Sequence, residues 1–221
     1  MKRRTVLTAL GTATVATAGC LDRSGDGSTP TDTDGPGRTD RTGTPPGTAT
    51  DERRTPTVLS GRFDGTDCPG FSDSVDRTVC YHAIQDDAAE VWVEPDSEVF
   101  APTTGDNTVE TITFTLCNES DEPFGLNPYA WAIKRRTGDG WEHVAPEEYV
   151  EPWRTVEDGG TYTWRLSVET HPSPARDDHL TLVEDLESGV YAFAITGSLG
   201  GSGKTDGSTW VECVALFSVE R

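Results

Sequence analysis

From about Gly61 onward the chain is written in short runs of β-branched and aromatic residues separated by turn residues, and no helical periodicity is sustained over three turns. Seven runs read as strands: 89–94 (AEVWVE), 108–117 (TVETITFTLC), 128–136 (PYAWAIKRR), 141–145 (WEHVA), 161–168 (TYTWRLSV), 189–197 (GVYAFAITG) and 209–219 (TWVECVALFSV). In the second run Ile112, Phe114 and Leu116 fall on one face and Thr111, Thr113 and Thr115 on the other, the pattern of a half-buried antiparallel strand. Tyr129, Trp131 and Ile133 alternate likewise, and Thr137-Gly138-Asp139-Gly140 reads as a hairpin turn into Trp141. Seven short strands without helices predict an all-β domain, a sandwich or barrel, over residues 61–221. Roughly 160 residues suffice for a core. Residues 61–88, which hold two cysteines, form an extension ahead of the first strand.

The first sixty residues follow a different rule. Residues 21 to about 58 are mostly Thr, Gly, Asp, Pro and Ser, with Leu21 and Val58 the only large aliphatic side chains. Such a segment buries too little surface to order itself and reads as a tether over 20–60, with threonines open to O-linked sugars. Ahead of it stand Arg3 and Arg4, then the Ala/Thr-rich apolar run Val6–Ala18, the layout of an export signal over 1–19. That run has 13 residues, against about 20 for a helix that spans a bilayer.

Paired arginines before a weakly hydrophobic, threonine-rich segment resemble a twin-arginine signal, which exports proteins already folded. Thr17-Ala18-Gly19-Cys20 resembles a lipobox, with Thr17 in place of the usual Leu. The resemblance implies cleavage after Gly19 and a thioether-linked lipid on Cys20, which becomes the first residue of the mature chain. One acyl chain holds a membrane only marginally, so firm anchoring implies a second. The expected membrane partner is reached through that lipid, at the outer face.

Charge sharpens the setting. The chain has 38 Asp+Glu against 18 Lys+Arg, net −20. From Gly61 onward there are 31 acids and 10 bases, and Lys134 and Lys204 are the only lysines there. A domain so acidic repels itself in dilute buffer, whereas at about 1 M salt the Debye length shrinks to about 3 Å and the repulsion is screened. With the signal, the chain resembles haloarchaeal surface lipoproteins. The same charge argues against nucleic acid or a bare anionic membrane surface as partner.

Leu186-x-x-Gly189-x-Tyr191-x-Phe193 resembles a tyrosine corner, and Cys117 followed by Trp131 resembles the cysteine and tryptophan of an immunoglobulin-like fold. The run from Glu90 to the C-terminus, with Asn118-Glu119-Ser120-Asp121-Glu122-Pro123 ahead of the Trp131 strand, resembles the immunoglobulin-like modules of bacterial and archaeal lipoproteins. This implies an antiparallel sandwich of about seven strands. Phe193 stands where an antibody-type domain has its second cysteine. Outside the anchor there are four cysteines, and an even number in an extracellular setting suggests two bridges with three possible connectivities. The expected pairs are Cys68–Cys80, closing a short loop, and Cys117–Cys213, joining the second and last runs. Alternation sets Cys117 among threonines and Cys213 with Val211, Ala215 and Phe217, so the second bridge requires a bulge or a strand end.

Reactive motifs are for the most part missing from the sequence. A copper sandwich needs two His, a Cys and usually a Met, but the only methionine is Met1 and Cys213 is followed by Val-Ala-Leu-Phe. Gly197-Ser-Leu-Gly-Gly-Ser-Gly-Lys-Thr205 has the wrong spacing for a phosphate loop, since Ser198 stands five positions before Gly203. His82, His143, His171 and His179 lack zinc spacing, no calcium loop is present, and no serine sits in a G-x-S-x-G elbow. No cofactor, metal or catalytic residue is therefore expected. Asn118-Glu119-Ser120 is either a glycosylation sequon or a polar turn. Lys134-Arg135-Arg136 is either a site for an acidic partner or a charged edge strand that guards against aggregation. The functional expectation is a non-catalytic surface module that binds an extracellular partner or serves the envelope. The alternative is an enzyme or proteinase-inhibitor-like sandwich acting through the 198–208 loop or the 169–179 segment. A pocket with converging acids and a His would favour an enzyme; an exposed aromatic patch on a smooth sandwich would favour binding.

Overall fold

The computed structural model describes residues 53–56, 61–85, 89–105, 109–170, 179–200 and 207–221. Arg3, Arg4, Cys20 and nearly all of the tether lie outside them, as do 171–178 and 201–206. The described residues form twelve strands in two packed sheets: β1 (Arg77–Cys80), β2 (Val91–Pro95), β3 (Val99–Phe100), β4 (Ile112–Asn118), β5 (Phe124–Leu126), β6 (Ala132–Thr137), β7 (Gly140–Ala145), β8 (Arg154–Val156), β9 (Thr161–Ser167), β10 (His179–Val183), β11 (Gly189–Leu199) and β12 (Thr209–Val219). The fold is an all-β sandwich. Each of the seven expected runs contains a strand, and β1, β3, β5, β8 and β10 are added to them. Three of those five, β3, β5 and β8, have only two or three residues, too few for alternation to declare them.

One sheet is β10-β9-β4-β2. The other is built on the long antiparallel pair β11–β12, whose register runs from Gly189↔Val219 to Leu199↔Thr209. β12 is flanked by β1 and β3, and β11 by β6 and β5, with β7 and β8 outside these. Three pairings, β1–β12, β3–β12 and β10–β9, are parallel, so the sandwich is not purely antiparallel. β6 lies between β11 and β7. The basic run 134–136 is therefore not an edge.

The alternating positions of β4 behave as their pattern predicts: Ile112, Phe114 and Leu116 are buried between the sheets. Phe114 stacks on Phe193 with centroids 4.3 Å apart, and Phe217 meets it edge-on at 5.1 Å. Trp164 and Trp131 lie 5.3 Å and 6.4 Å from Phe193. Phe193 thus fills with a ring the centre that a bridge crosses in antibody-type domains. Each such pair adds about 0.5–1.5 kcal/mol beyond area burial. The Tyr191 hydroxyl donates to the Glu187 carbonyl at 2.8 Å, the local tie of a tyrosine corner, and Leu186 and Tyr191 are both buried in this core.

β11 and β12 are buried on both faces, because residues 61–80 cover the outer side of their sheet. Phe63, Cys80, Ala192, Ala194, Val214 and Leu216 form a second core there, with Phe71, Trp141 and Val190 packed against it. The cover is fixed by the Cys68–Cys80 disulfide. The buried Glu212 carboxylate accepts from the Phe71 amide at 2.8 Å and the Thr78 hydroxyl at 3.3 Å. Arg62 adds bonds to Ser218 and Glu220.

Two expectations need correction here. Cys117 and Cys213 are free thiols, both buried. Cys117 points away from the inter-sheet core, into a small cluster with Tyr81 and Trp92, whereas Cys213 points into that core. No bulge brings them together. The tether also ends earlier than composition suggests. The Arg54 amide donates to Glu119 at 2.9 Å and its guanidinium to the Cys117 sulfur at 3.4 Å, while Arg53 pairs with Asp121.

A candidate ligand-binding cleft

The turn at 127–130 begins the site. Asn127 accepts from the Tyr129 amide through its side chain at 3.0 Å and from the Ala130 amide through its carbonyl at 3.1 Å. The buried Trp164 indole donates to the Pro128 carbonyl at 2.8 Å, tying the turn to the core. Tyr129 is thereby held at the surface, 37% exposed, while Trp131 two residues on is buried to 7%. The Asn127 amide also donates to the Val150 carbonyl at 2.8 Å, fixing the loop that follows β7. That loop starts at a cis Ala145–Pro146 bond, where the Pro146 carbonyl lies 2.8 Å from the His143 ring.

Between this loop and β10, an edge strand of the four-stranded sheet, lies a cavity of about 520 Å³. Tyr129, Trp131, Tyr149, Val150, Leu180 and Val183 supply its apolar lining, and Glu148 and Glu184 its carboxylates. Tyr149 and Val150 are 55% and 62% exposed, the most exposed large apolar side chains among the described residues. The Glu184 amide is held by the Ser167 carbonyl at 3.0 Å. Burial, and then the neighbouring Glu147, push the Glu184 carboxyl above the ordinary range. Aromatic walls with carboxylates beside them suit a ligand that is apolar and cationic together, because rings attract cations through their faces and carboxylates through charge.

The sequence-predicted residues fall elsewhere. Asn118 is fully buried, its amide shared among the carbonyls of Glu122 and Val156 at 2.9 Å each and Glu157 at 3.2 Å, while its oxygen accepts from the Ser120 hydroxyl at 2.7 Å. An amide so engaged has no room for a glycan, so the sequon reading gives way to the polar turn. His82 is buried against the Thr66 carbonyl, His143 lies on β7 and His179 begins β10. His171 and the 171–178 and 201–206 parts of the two candidate loops lie outside the described residues. Among the described residues no three His, Cys, Asp or Glu side chains gather as a metal site requires. The cleft escaped sequence reading; the signal that could have pointed to it is the apolar pair Tyr149-Val150 set among Glu147, Glu148 and Glu151.

No protein-family model matches the chain, and no curated protein does. Solved structures to which part of the chain is similar include the alkylpurine DNA glycosylase AlkC of Pseudomonas fluorescens bound to DNA with an abasic-site analogue, at 14% identity and TM-score 0.26, over 60% of this chain and 31% of that one. Others are PapD-like domain 7 of human CEP192, at 11% identity and TM-score 0.27 over 58% and 85% of the two chains, and the sporulation control protein Spo0M of Bacillus subtilis, at 13% and 0.30 over 60% and 50%. The chain thus spans about a third of the glycosylase and half of Spo0M.

Proposed function

We propose that this chain is a lipid-anchored cell-surface protein of the haloarchaeal twin-arginine type, whose sandwich is a non-catalytic binding module for an extended basic and apolar peptide segment. Arg3-Arg4, the short apolar run and Cys20 support the address, and the Cys68–Cys80 bridge suits an oxidising exterior. The observation that carries the binding reading is the cleft beside β10: exposed Tyr149 and Val150 over a floor of Trp131, with Glu148 and Glu184 to meet a cation. Exposed aromatic and aliphatic groups in a concave, acid-flanked site are what a binding surface needs.

Calorimetry with an acetylated peptide of alternating leucine and lysine, in molar salt, tests it. The peptide binds, its glutamate-for-lysine twin does not, and Tyr149→Ser weakens binding about tenfold. Equal binding of both peptides, or an indifferent Tyr149→Ser, rejects the reading. The raised Glu184 beside Glu147 is the one feature on the side of an enzyme. Cleavage of the bound peptide would favour that alternative; recovery of intact peptide is expected. For the anchor, Cys20→Ser should release the protein from membranes, and a variant that stays bound after a salt wash would end the lipid reading.

A further inference from the structure

The β6–β7 hairpin sorts its charges by face. Cross-strand register sets Arg135 opposite Glu142, Arg136 opposite Trp141 and Lys134 opposite His143. On one side Arg135 is neutralised by Glu187 at 2.8 Å and lies over the Tyr191 ring. On the other stand Lys134, Arg136, Trp141 and His143, and none of the hairpin's acids shares their register positions. Among the described residues neither Lys134 nor Arg136 has a carboxylate within ion-pair distance, whereas Arg53, Arg62, Arg77, Arg135 and Arg221 each have one. In a chain with more than two acids for each base, two neighbouring cations without an ion pair among the described residues are a departure from the general pattern.

These cations line a second cavity, of about 790 Å³, closed on its other side by residues 65–71. That wall is held in place at three points: the Cys68–Cys80 bridge, the Phe71 amide on buried Glu212, and the Thr66 carbonyl 3.1 Å from the His82 ring. Lys134 Nζ sits 5.0 Å from the Phe71 ring centroid, and Phe71 meets Trp141 edge-on at 5.6 Å, so the two rings and the ammonium fix one another. Among the described residues the only acidic side chain in the lining is Asp67.

We infer that this pocket, independent of the cleft beside β10, is a binding site for a small organic anion, one or two carboxylates carried on a sugar-sized ring. The Arg136 guanidinium offers a planar fork that a carboxylate can accept in two places, and Lys134 a second cation. Trp141 gives the ring an apolar face to rest on. A cavity of about 790 Å³ with residues 65–71 as one wall takes a short ligand rather than a long chain. Short-range hydrogen bonds in the pocket persist in brine, where long-range steering is screened.

Titration of the full-length, detergent-solubilised protein in molar salt with digalacturonate, and with galactobiose as its neutral twin, tests this site. Digalacturonate binds, galactobiose binds at least tenfold more weakly, and Arg136→Gln with Lys134→Gln loses at least tenfold in affinity for the acid while the melting temperature holds. Arg136→Gln alone, at an exposed position, gives the same direction with less risk to the fold. Absence of digalacturonate binding, equal affinity for both sugars, or undiminished affinity in the single and double variants overturns the site.

Discussion

Asn118 shows how much one side chain can hold. Its buried amide serves three carbonyls across the β4 end, the 120–122 turn and the loop after β8. Asn118→Ala leaves those groups without their donor, and a destabilisation of about 2–4 kcal/mol is expected, read as a lower denaturant midpoint at constant slope. Tyr191→Phe removes one bond and keeps the ring, so about 1 kcal/mol is expected in the same experiment. The free thiols give a pH signature. Burial pushes Cys117 from 9.0 up to about 11 and raises Cys213 as well. A thiol whose folded value lies above its unfolded one stabilises fully below the unfolded value and loses that contribution as pH rises through the folded one. Melting temperature is thus expected to fall from about pH 9 to pH 11, and Cys213→Val should flatten the fall. A curve as steep in the variant as in the parent would contradict this. At acid pH the sign reverses for His82, whose burial lowers its affinity for a proton: stability at that group is lost as pH falls below about 6.5.

Among the elements, β11 and the outer cover carry the lesson. Gly197 pairs with Leu126 of β5, and a Cβ added to it would meet the Phe124 ring at 2.4 Å. Glycine is needed there for close approach, and its place in a strand disposes of any phosphate-loop role. Gly197→Ala is expected to cost about 1–3 kcal/mol or to part β5 from β11, which loss of amide protection at 124–126 would report. The apolar–polar alternation that exposed β4 and β6 in the sequence is missing from β11 and β12, whose two faces are both apolar. These read as unbroken apolar runs because 61–80 covers their second face. That segment gave no strand signal of its own. Its hold depends on Glu212, a carboxylate inside an apolar run, and on a bridge closing a short loop. Removing that bridge by Cys68→Ser with Cys80→Ser is expected to cost about 2–3 kcal/mol.

For the whole molecule, electrostatics sets the conditions. The ion pairs at Arg53, Arg62, Arg77 and Arg135 are solvent-exposed and contribute little in brine. The net charge of −20 works against compaction in dilute buffer. Stability is expected to rise steeply between 0.1 M and 3 M NaCl, since salt screens repulsion and strengthens apolar burial. Equal melting temperatures at the two ends would remove the high-salt reading. The two proposed sites differ in chemistry: an apolar cleft bearing carboxylates, and a pocket whose cations form no ion pair among the described residues.

Local pattern by itself determined the β character, the seven principal strands and the inward face of β4, and it pointed to the Cys68–Cys80 pair, because each is written in neighbouring residues. Contacts between residues far apart in the chain decided the rest. Asn118 is a bracket because β8 ends beside it, and Cys117 and Cys213 stay apart because Cys117 points out of the inter-sheet core into which Cys213 points. β10 borders a cleft because the 127–130 turn and the 146–150 loop are tied across from it. The basic run becomes a pocket wall because a bridged loop folds over its hairpin. Such placements depend on how sheets stack and what covers them, and no stretch of sequence carries that alone.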